Sequence, residues 1–353
     1  MRTIALGLIG LVIVAAGLFF AFSGSDRVPP IDTSGEDLGP AIEAWLDERH
    51  AQPEAAFNGA VLVINDGEVI VRKAWGKDGE GRALTPASKF RLASVSKAFT
   101  ASAILKLAQD ERLDLDTPVA DQIEGCTVNA TPAQLLRHIS GIPDDYLDKA
   151  DPDQLTTVPM VFDQVCEGSQ SFEAPGEFAY NNTGYVFLAG LVERVSGQSF
   201  ESYLASEVLA PLELENTRVW NLVSGDDFAD RAITFDAQGK LVPTNVDGVA
   251  GDGAVFSTLD DLANWTRFWR DDRLLSAPLK DRATGRGGED AYHFGWNRAG
   301  DKVEHTGGWL GARTYLGFED TSPDGDVVVF LDNGSTTKAG DIVREIWSAL
   351  GKD

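Results

Sequence analysis

The stretch FRLASVSKAFTASAILKLAQD, residues 90–110, poses the problem that the rest of the chain has to solve. Its apolar residues recur at helical spacing and cover almost every face, which predicts a helix buried all round. Ser94 and Lys97 nevertheless share one face, and a lysine inside such a helix is costly unless something pairs with it. The placement is chemically useful in three ways. Lys97 can reach the Ser94 hydroxyl. A serine at a helix start has free N–H groups and the positive dipole end around it. Burial favours the uncharged lysine, which can accept a proton. The S-x-x-K tetrapeptide is weak by itself, since a chain this long holds on the order of one by chance. Ser335-Thr336-Thr337-Lys338 is such a copy, read as an N-capping serine with its lysine in water.

The 353 residues are 43% hydrophobic and 24% charged, enough for a sizeable core. Asp and Glu outnumber Lys and Arg 55 to 30, for a net charge of −25. That field repels phosphate backbones and argues against a nucleic-acid partner. It also slows the approach of anionic substrates.

Residues 1–23 stand outside the fold. After Arg2, residues 4–22 (IALGLIGLVIVAAGLFFAF) carry no charge. As a helix they span roughly 28 Å, close to the hydrocarbon thickness of a bilayer. The length favours an uncleaved membrane anchor, while Ala21-Phe22-Ser23 also fits a cleavable signal segment. Either reading exports residues 38–353: membrane-anchored on the extracytoplasmic, periplasmic side, or secreted. Residues 24–37, rich in Gly, Pro and Ser, read as a linker. In an oxidising compartment Cys126 and Cys166 are candidates for one disulfide, with two separate buried thiols as the alternative.

Residues 38–50 predict a first helix, and residues 59–76 a hairpin about Asp66-Gly67. Residues 115–215 hold mainly helical patterns. Among them PAQLLRHISGIP ends a helix with His138 in its last turn, and 183–197 is a helix stopped at Gly197. Residues 302–307, 311–320 and 326–333 then read as strands, with turns at Gly307-Gly308 and Asp324-Gly325, before a closing helix. This order predicts an α+β fold, an α/β sandwich. Its antiparallel sheet is flanked by helices, and a mainly helical region is inserted between the sheet's parts.

No G-x-S-x-G, H-E-x-x-H, C-x-x-C or Walker A motif occurs, and GDGAVF at 251–256 lacks the third glycine of a dinucleotide loop. Neither a metal nor a cofactor is expected. Two other stretches matter. EAPGEFAYNNTGY (173–185) places Tyr180 and Asn182 in a loop entering a helix, where Asn182 or Thr183 could simply be an N-cap. EHTGGWLG (304–311) has His305 before paired glycines, which a hairpin turn would also explain.

In this order and spacing the three stretches resemble the penicillin-recognising serine hydrolases. That family includes class C β-lactamases, D-alanyl-D-alanine carboxypeptidases and family VIII-type esterases. Its three elements, S-x-x-K, Y-x-N and K-T-G or H-T-G, stand here as Ser94-Val95-Ser96-Lys97, Tyr180-Asn181-Asn182 and His305-Thr306-Gly307. LLRHISGIPD, PGEFAYNNTGY and VFSTLDDLANW look like the family too, and the likeness covers roughly residues 38–350.

The resemblance implies a β-lactamase/transpeptidase-like fold and a serine hydrolase working through an acyl-enzyme on Ser94. Lys97 and Tyr180 would share the proton, Lys97 holding Tyr180 near its phenolate form. Asn182 would hydrogen-bond the substrate amide or Lys97. The N–H groups of Ser94 and Gly308 would form the oxyanion hole, and His305, Thr306 and Gly307 would line the substrate's strand. His305 departs from the lysine of K-T-G members, since an unperturbed imidazole is mostly neutral at pH 7. Carboxylate capture then falls to an arginine, and Arg298 and Arg313, which flank the strand, are expected at the surface. The substrate is a small molecule or peptide carrying an amide or ester. A peptidase or amidase acting on D-amino-acid peptides, as in cell-wall trimming, leads. A carboxylesterase is the alternative, then a β-lactamase. A non-catalytic binding protein comes last.

Overall fold

The computed structural model describes residues 30–35, 37–52, 56–168, 176–225, 228–236, 238–334 and 339–352. The apolar segment 4–22, the proposed linker up to Pro29 and the second S-x-x-K at 335–338 lie outside the described residues.

Helix α1 (Leu38–Ala51) leads into the hairpin β1 (Gly59–Asn65) and β2 (Glu68–Trp75), the short β3 (Phe90–Arg91), a 3-10 turn over Ala93–Val95, and α2 (Ser96–Gln109). From there to Leu212 the elements are helical: α3 (Val119–Gln122), α4 (Pro132–Leu136), α5 (Val158–Glu167), α6 (Asn182–Ser196) and α7 (Phe200–Leu204), with two further helical turns. Short strands follow, β4 (Arg218–Val219), β5 (Phe235–Asp236), β6 (Gly239–Lys240) and β7 (Val255–Ser257), then α8 (Leu259–Phe268) and α9 (Ala277–Thr284). The chain closes with β8 (Asn297–Ala299), β9 (Lys302–Trp309), β10 (Ala312–Glu319), β11 (Val327–Asp332) and α10 (Ala339–Ala349).

The α+β architecture expected from the order of elements is present. Six antiparallel strands run β2-β1-β11-β10-β9-β8, so the N-terminal hairpin completes a sheet begun by the C-terminal strands. Alternation along each strand fills two cores. Ala60, Leu62 and Ile64 of β1 face α2 and the helical region, whereas Val61 and Val63 face α1 and α10. In β11, Val327, Val329 and Leu331 join the first core, and Val328 and Phe330 the second. A strand covered on both faces reads as a continuous apolar run, which is what VVVFLD shows. Asp66 (φ 48°) and Gly67 (φ 79°) make the left-handed pair a two-residue hairpin turn requires.

Two local expectations need correction. Gly307 and Gly308 are not a turn; β9 pairs with β10 as far as Trp309↔Ala312, and Leu310-Gly311 turns the chain at φ 40° and 85°. Helix α4 ends at Leu136, so His138 lies beyond it with a left-handed φ of 57° rather than in its last turn. Helix α6 does stop at Gly197, which takes the left-handed C-terminal position (φ 74°).

Cys126 and Cys166 are bonded, tying the segment ahead of α4 to the end of α5. In the chain-entropy model, cross-linking residues 40 apart stabilises by about 4 kcal/mol. Urea unfolding of Cys126→Ser/Cys166→Ser beside the oxidised protein should show a midpoint lowered accordingly; coincident curves would deny the bond a stabilising role.

Candidate active site

Helix α2 is buried round almost its whole circumference, with Phe99 stacked on Trp265 at 4.0 Å. Its start is held by three hydrogen bonds to two other elements, β7 and β10. Leu92 N–H donates to Val255 O, Thr314 Oγ1 of β10 donates to Leu92 O at 2.7 Å, and Ser96 Oγ accepts from Val255 N–H. Between them Ala93 sits at φ 48°, a left-handed conformation that costs an alanine about 1 kcal/mol or more. That strain turns Ser94 outward, half-buried, at the head of the helix, while Lys97 below it has no exposed surface.

Lys97 is the hub. Its Nζ donates to Ser94 Oγ at 3.1 Å, Asn182 Oδ1 at 2.8 Å and the Asp252 carbonyl at 3.1 Å, which uses all three ammonium protons. Nζ also lies 4.7 Å from the centre of the Tyr180 ring and 5.5 Å from that of Tyr185. The lysine thus stands over the face of Tyr180, not at its hydroxyl. Among the described residues the Tyr180 hydroxyl has no hydrogen-bond partner. The N-cap of α6 is Asn181, whose Oδ1 accepts from Gly184 N–H and whose Nδ2 donates to Ile142 O. Asn182 is therefore freed from capping and turned toward Lys97.

The third element lies on β9. β8 pairs only with Lys302–Glu304, which leaves the edge from His305 to Trp309 without a strand neighbour among the described residues. Such an edge suits an extended substrate. A Cβ on Gly307 would lie 2.3 Å from Thr314 Oγ1, 2.4 Å from Leu92 O and 3.0 Å from Ser94 N, so the missing side chain lets the strand approach the Ser94 turn. A Cβ on Gly308 would meet only ordinary contacts, the nearest with Arg313 at 3.5 Å. Thr306 is exposed.

His305 is buried. Its Nδ1–H donates to Thr306 O, so the neutral ring accepts at Nε2 from the Tyr292 hydroxyl at 3.0 Å. Burial, followed by the Lys97 charge, lowers its pKa to about 3. Arg298, expected at the surface, is instead buried and paired with buried Asp320, so it cannot serve the site. Arg313 stands opposite Gly308, its Nη1 donating to Ala312 O, and pairs with no carboxylate among the described residues.

Several neighbours complete the site without having been assigned a role in it. His138 packs against Tyr180 at 4.3 Å and accepts the Asn181 N–H at Nδ1, while burial and then the Lys97 charge hold its pKa well below 6.5. Asp252, Asp144 and Tyr146 approach from behind Lys97, and Tyr292 braces His305.

Ser94, Lys97, Tyr180, Asn182 and His305, spread over more than 200 residues of chain, thus converge on one site. The beta-lactamase family model matches residues 43–349. The chain belongs to the beta-lactamase family. Members of this family are serine hydrolases. Penicillin-binding protein 4* of Bacillus subtilis (strain 168) is 30% identical over 303 residues, covering 77% of this chain. Protein flp of Staphylococcus aureus (strain NCTC 8325 / PS 47) is 28% identical over 302 residues, covering 78% of this chain. The chain spans 66% and 58% of the length of these two relatives. The octameric penicillin-binding protein homologue from Pyrococcus abyssi superposes with a TM-score of 0.72 at 28% identity, over 89% of this chain and 78% of that one.

Two expectations follow from this geometry. Gly307→Ala forces the strand from the Ser94 turn and should slow acylation of Ser94 by a reactive probe about a hundredfold or more. Gly308→Ala, meeting only ordinary contacts, should lose under tenfold. Equal losses in labelling rate would refute the packing argument. The second concerns acid. Unfolded histidine binds its proton near pH 6.5 and folded His305 near 3, so the unfolded state holds more protons between those values. The neutral ring's contribution is whole above pH 6.5 and is lost as pH falls toward 3. The drop in Tm between pH 6.5 and 5 should be smaller in His305→Asn; an unchanged slope would count against a buried neutral ring.

Proposed function

We propose that this chain is an exported hydrolase of amide or peptide bonds in D-amino-acid peptides, similar in action to a D-alanyl-D-alanine carboxypeptidase. One observation carries the reading: the fully buried Lys97 Nζ lies 3.1 Å from Ser94 Oγ, beside a strand edge open to an extended substrate. Ser94 Oγ attacks the carbonyl carbon and gives its proton to Lys97 once that lysine is uncharged. The oxygen that gains charge is received by the N–H groups of Ser94 and Gly308. The departing nitrogen takes a proton from Tyr180, whose hydroxyl no described residue occupies. Water then attacks the ester on Ser94, and the same groups return the proton. Asn182 holds Lys97 through Oδ1, while its Nδ2 donates to Asp144 Oδ2 at 3.4 Å.

Export is supported by the uncharged stretch 4–22 and by the Cys126–Cys166 bond, which suits an oxidising compartment. Among the described residues no helix is long and apolar enough to cross a membrane, so anchoring would fall to that stretch.

A second reading, a carboxylesterase, is favoured by neutral His305, which offers no charge to a substrate carboxylate. Arg313 is then the cation left to meet one. The same neutrality and the net charge of −25 make efficient β-lactam hydrolysis the weaker alternative.

Intact-mass spectrometry of the protein incubated with a penicillin should show a persistent adduct that Ser94→Ala abolishes. Free penicillin should survive in excess. Rapid loss of the drug would move the reading to a β-lactamase. An untouched drug, with turnover of short p-nitrophenyl esters, would favour the carboxylesterase. An adduct that survives Ser94→Ala would overturn the nucleophile assignment.

A further inference from the structure

Lys97 buries an ammonium whose three acceptors, a hydroxyl, an amide oxygen and a backbone carbonyl, are all uncharged. An ion enclosed this way needs compensating charge nearby. The groups around it are few. Tyr180 and Tyr185 offer ring faces, His305 on β9 and His138 beyond α4 are neutral, and Arg91 of β3 is held by Asp247 at 3.0 Å. Among the described residues two carboxylates remain. Asp144 accepts from Thr183 N–H at 2.8 Å and from the Thr183 hydroxyl at 3.0 Å, serving the start of α6. Asp252 belongs to the residue whose carbonyl already holds Nζ.

The Asp252 carboxylate is built in. Its Oδ2 accepts from the buried Tyr146 hydroxyl at 2.9 Å, and the Tyr146 N–H donates at 3.2 Å to Thr183 Oγ1. The preceding carbonyl, Gly251 O, accepts from Thr100 Oγ1 of α2 at 2.7 Å. The segment is therefore pinned to the same helix that carries Lys97. Burial raises the pKa of Asp252, against the opposing pull of the Lys97 charge and the Tyr146 hydroxyl.

We propose that Asp252 is the positioning residue for Lys97, its carbonyl fixing Nζ beneath Ser94 and its carboxylate, held by Tyr146, balancing the ammonium. This rests on the reading of Ser94 as nucleophile. Asp252 thereby ties the acidic limb of the pH profile to the charge behind Ser94. Removing that negative charge disfavours the protonated form of the site as a whole, which moves the limb to lower pH.

The test is the pH profile of kcat/KM for p-nitrophenyl acetate with the wild type, Asp252→Asn, Tyr146→Phe and Ser94→Ala. Asp252→Asn keeps shape and the Tyr146 hydrogen bond but loses the charge; its acidic limb should move down by about one pH unit. Tyr146→Phe keeps the charge and loosens the tether, so its limb should stay while its plateau kcat falls several-fold at unchanged KM. A folded Asp252→Asn, with Ser94 still reactive and the acidic limb unmoved, would overturn the proposal alone. Should Asp252→Asn not fold, Tyr146→Phe decides by itself: the fall in kcat supports the tether, and an unchanged kcat refutes it. Turnover that survives Ser94→Ala removes the nucleophile reading and this proposal with it.

Discussion

The structure is organised around one costly act, the complete burial of the Lys97 ammonium. Nothing at the surface requires it, and a lysine carries several kilocalories per mole of desolvation into such a place. The surroundings answer that cost piece by piece. Asn181 takes the capping duty at α6 so that Asn182 can turn to Nζ, and the segment at 251–252 is strapped to α2 so that a carbonyl can do the same. Two tyrosine rings complete the shell. Each device comes from a different part of the chain, so the lysine is held only in the finished fold.

The sheet supplies the other half of the arrangement. Because β1 pairs with β11, residues near both ends of the described chain close one platform, and β9 is brought against the turn that carries Ser94. Gly307 sets that approach: with no side chain there, Thr314 can fasten Leu92, and Ala93 is left in its left-handed conformation. The strain at Ala93 and the absence of a side chain at Gly307 are two parts of one device that aims Ser94 at the open strand edge.

What could be read beforehand divides along physical lines. The hairpin about Asp66-Gly67, the end of α6 at Gly197 and the buried course of α2 follow from local turn chemistry and periodicity, which act within a few residues. Ser94, Lys97, Tyr180, Asn182 and His305 stood out because a shared pattern linked them, not because any one was telling. Gly307-Gly308 misled, since paired glycines signal a turn locally, but here Gly307 answers a close approach from Leu92, more than 200 residues away in the chain, and from Thr314 on the neighbouring strand. Arg298 misled for the same kind of reason, its partner Asp320 lying beyond a hairpin. Asp252, Tyr146 and Tyr292 act only through contacts made by distant segments, and periodicity carries no record of those.

The charge of the cleft is where site and substrate meet. A second cation at position 305 would sit close to Lys97, a like-charge pair in a water-poor pocket. The fold avoids this by hydrogen-bonding both ring nitrogens of His305 in the neutral state, one donating to Thr306 O and one accepting from Tyr292. Lys97 then remains the one cation in contact with Ser94 among the described residues, with Asp252 and Asp144 close behind it. A lone ammonium backed by two carboxylates, on a protein of net charge −25, gives little long-range attraction to an anion. On the proposed hydrolase reading, recognition then draws on the reacting carbonyl and the backbone of β9, with Arg313, opposite Gly308, the cation left to meet a substrate carboxylate.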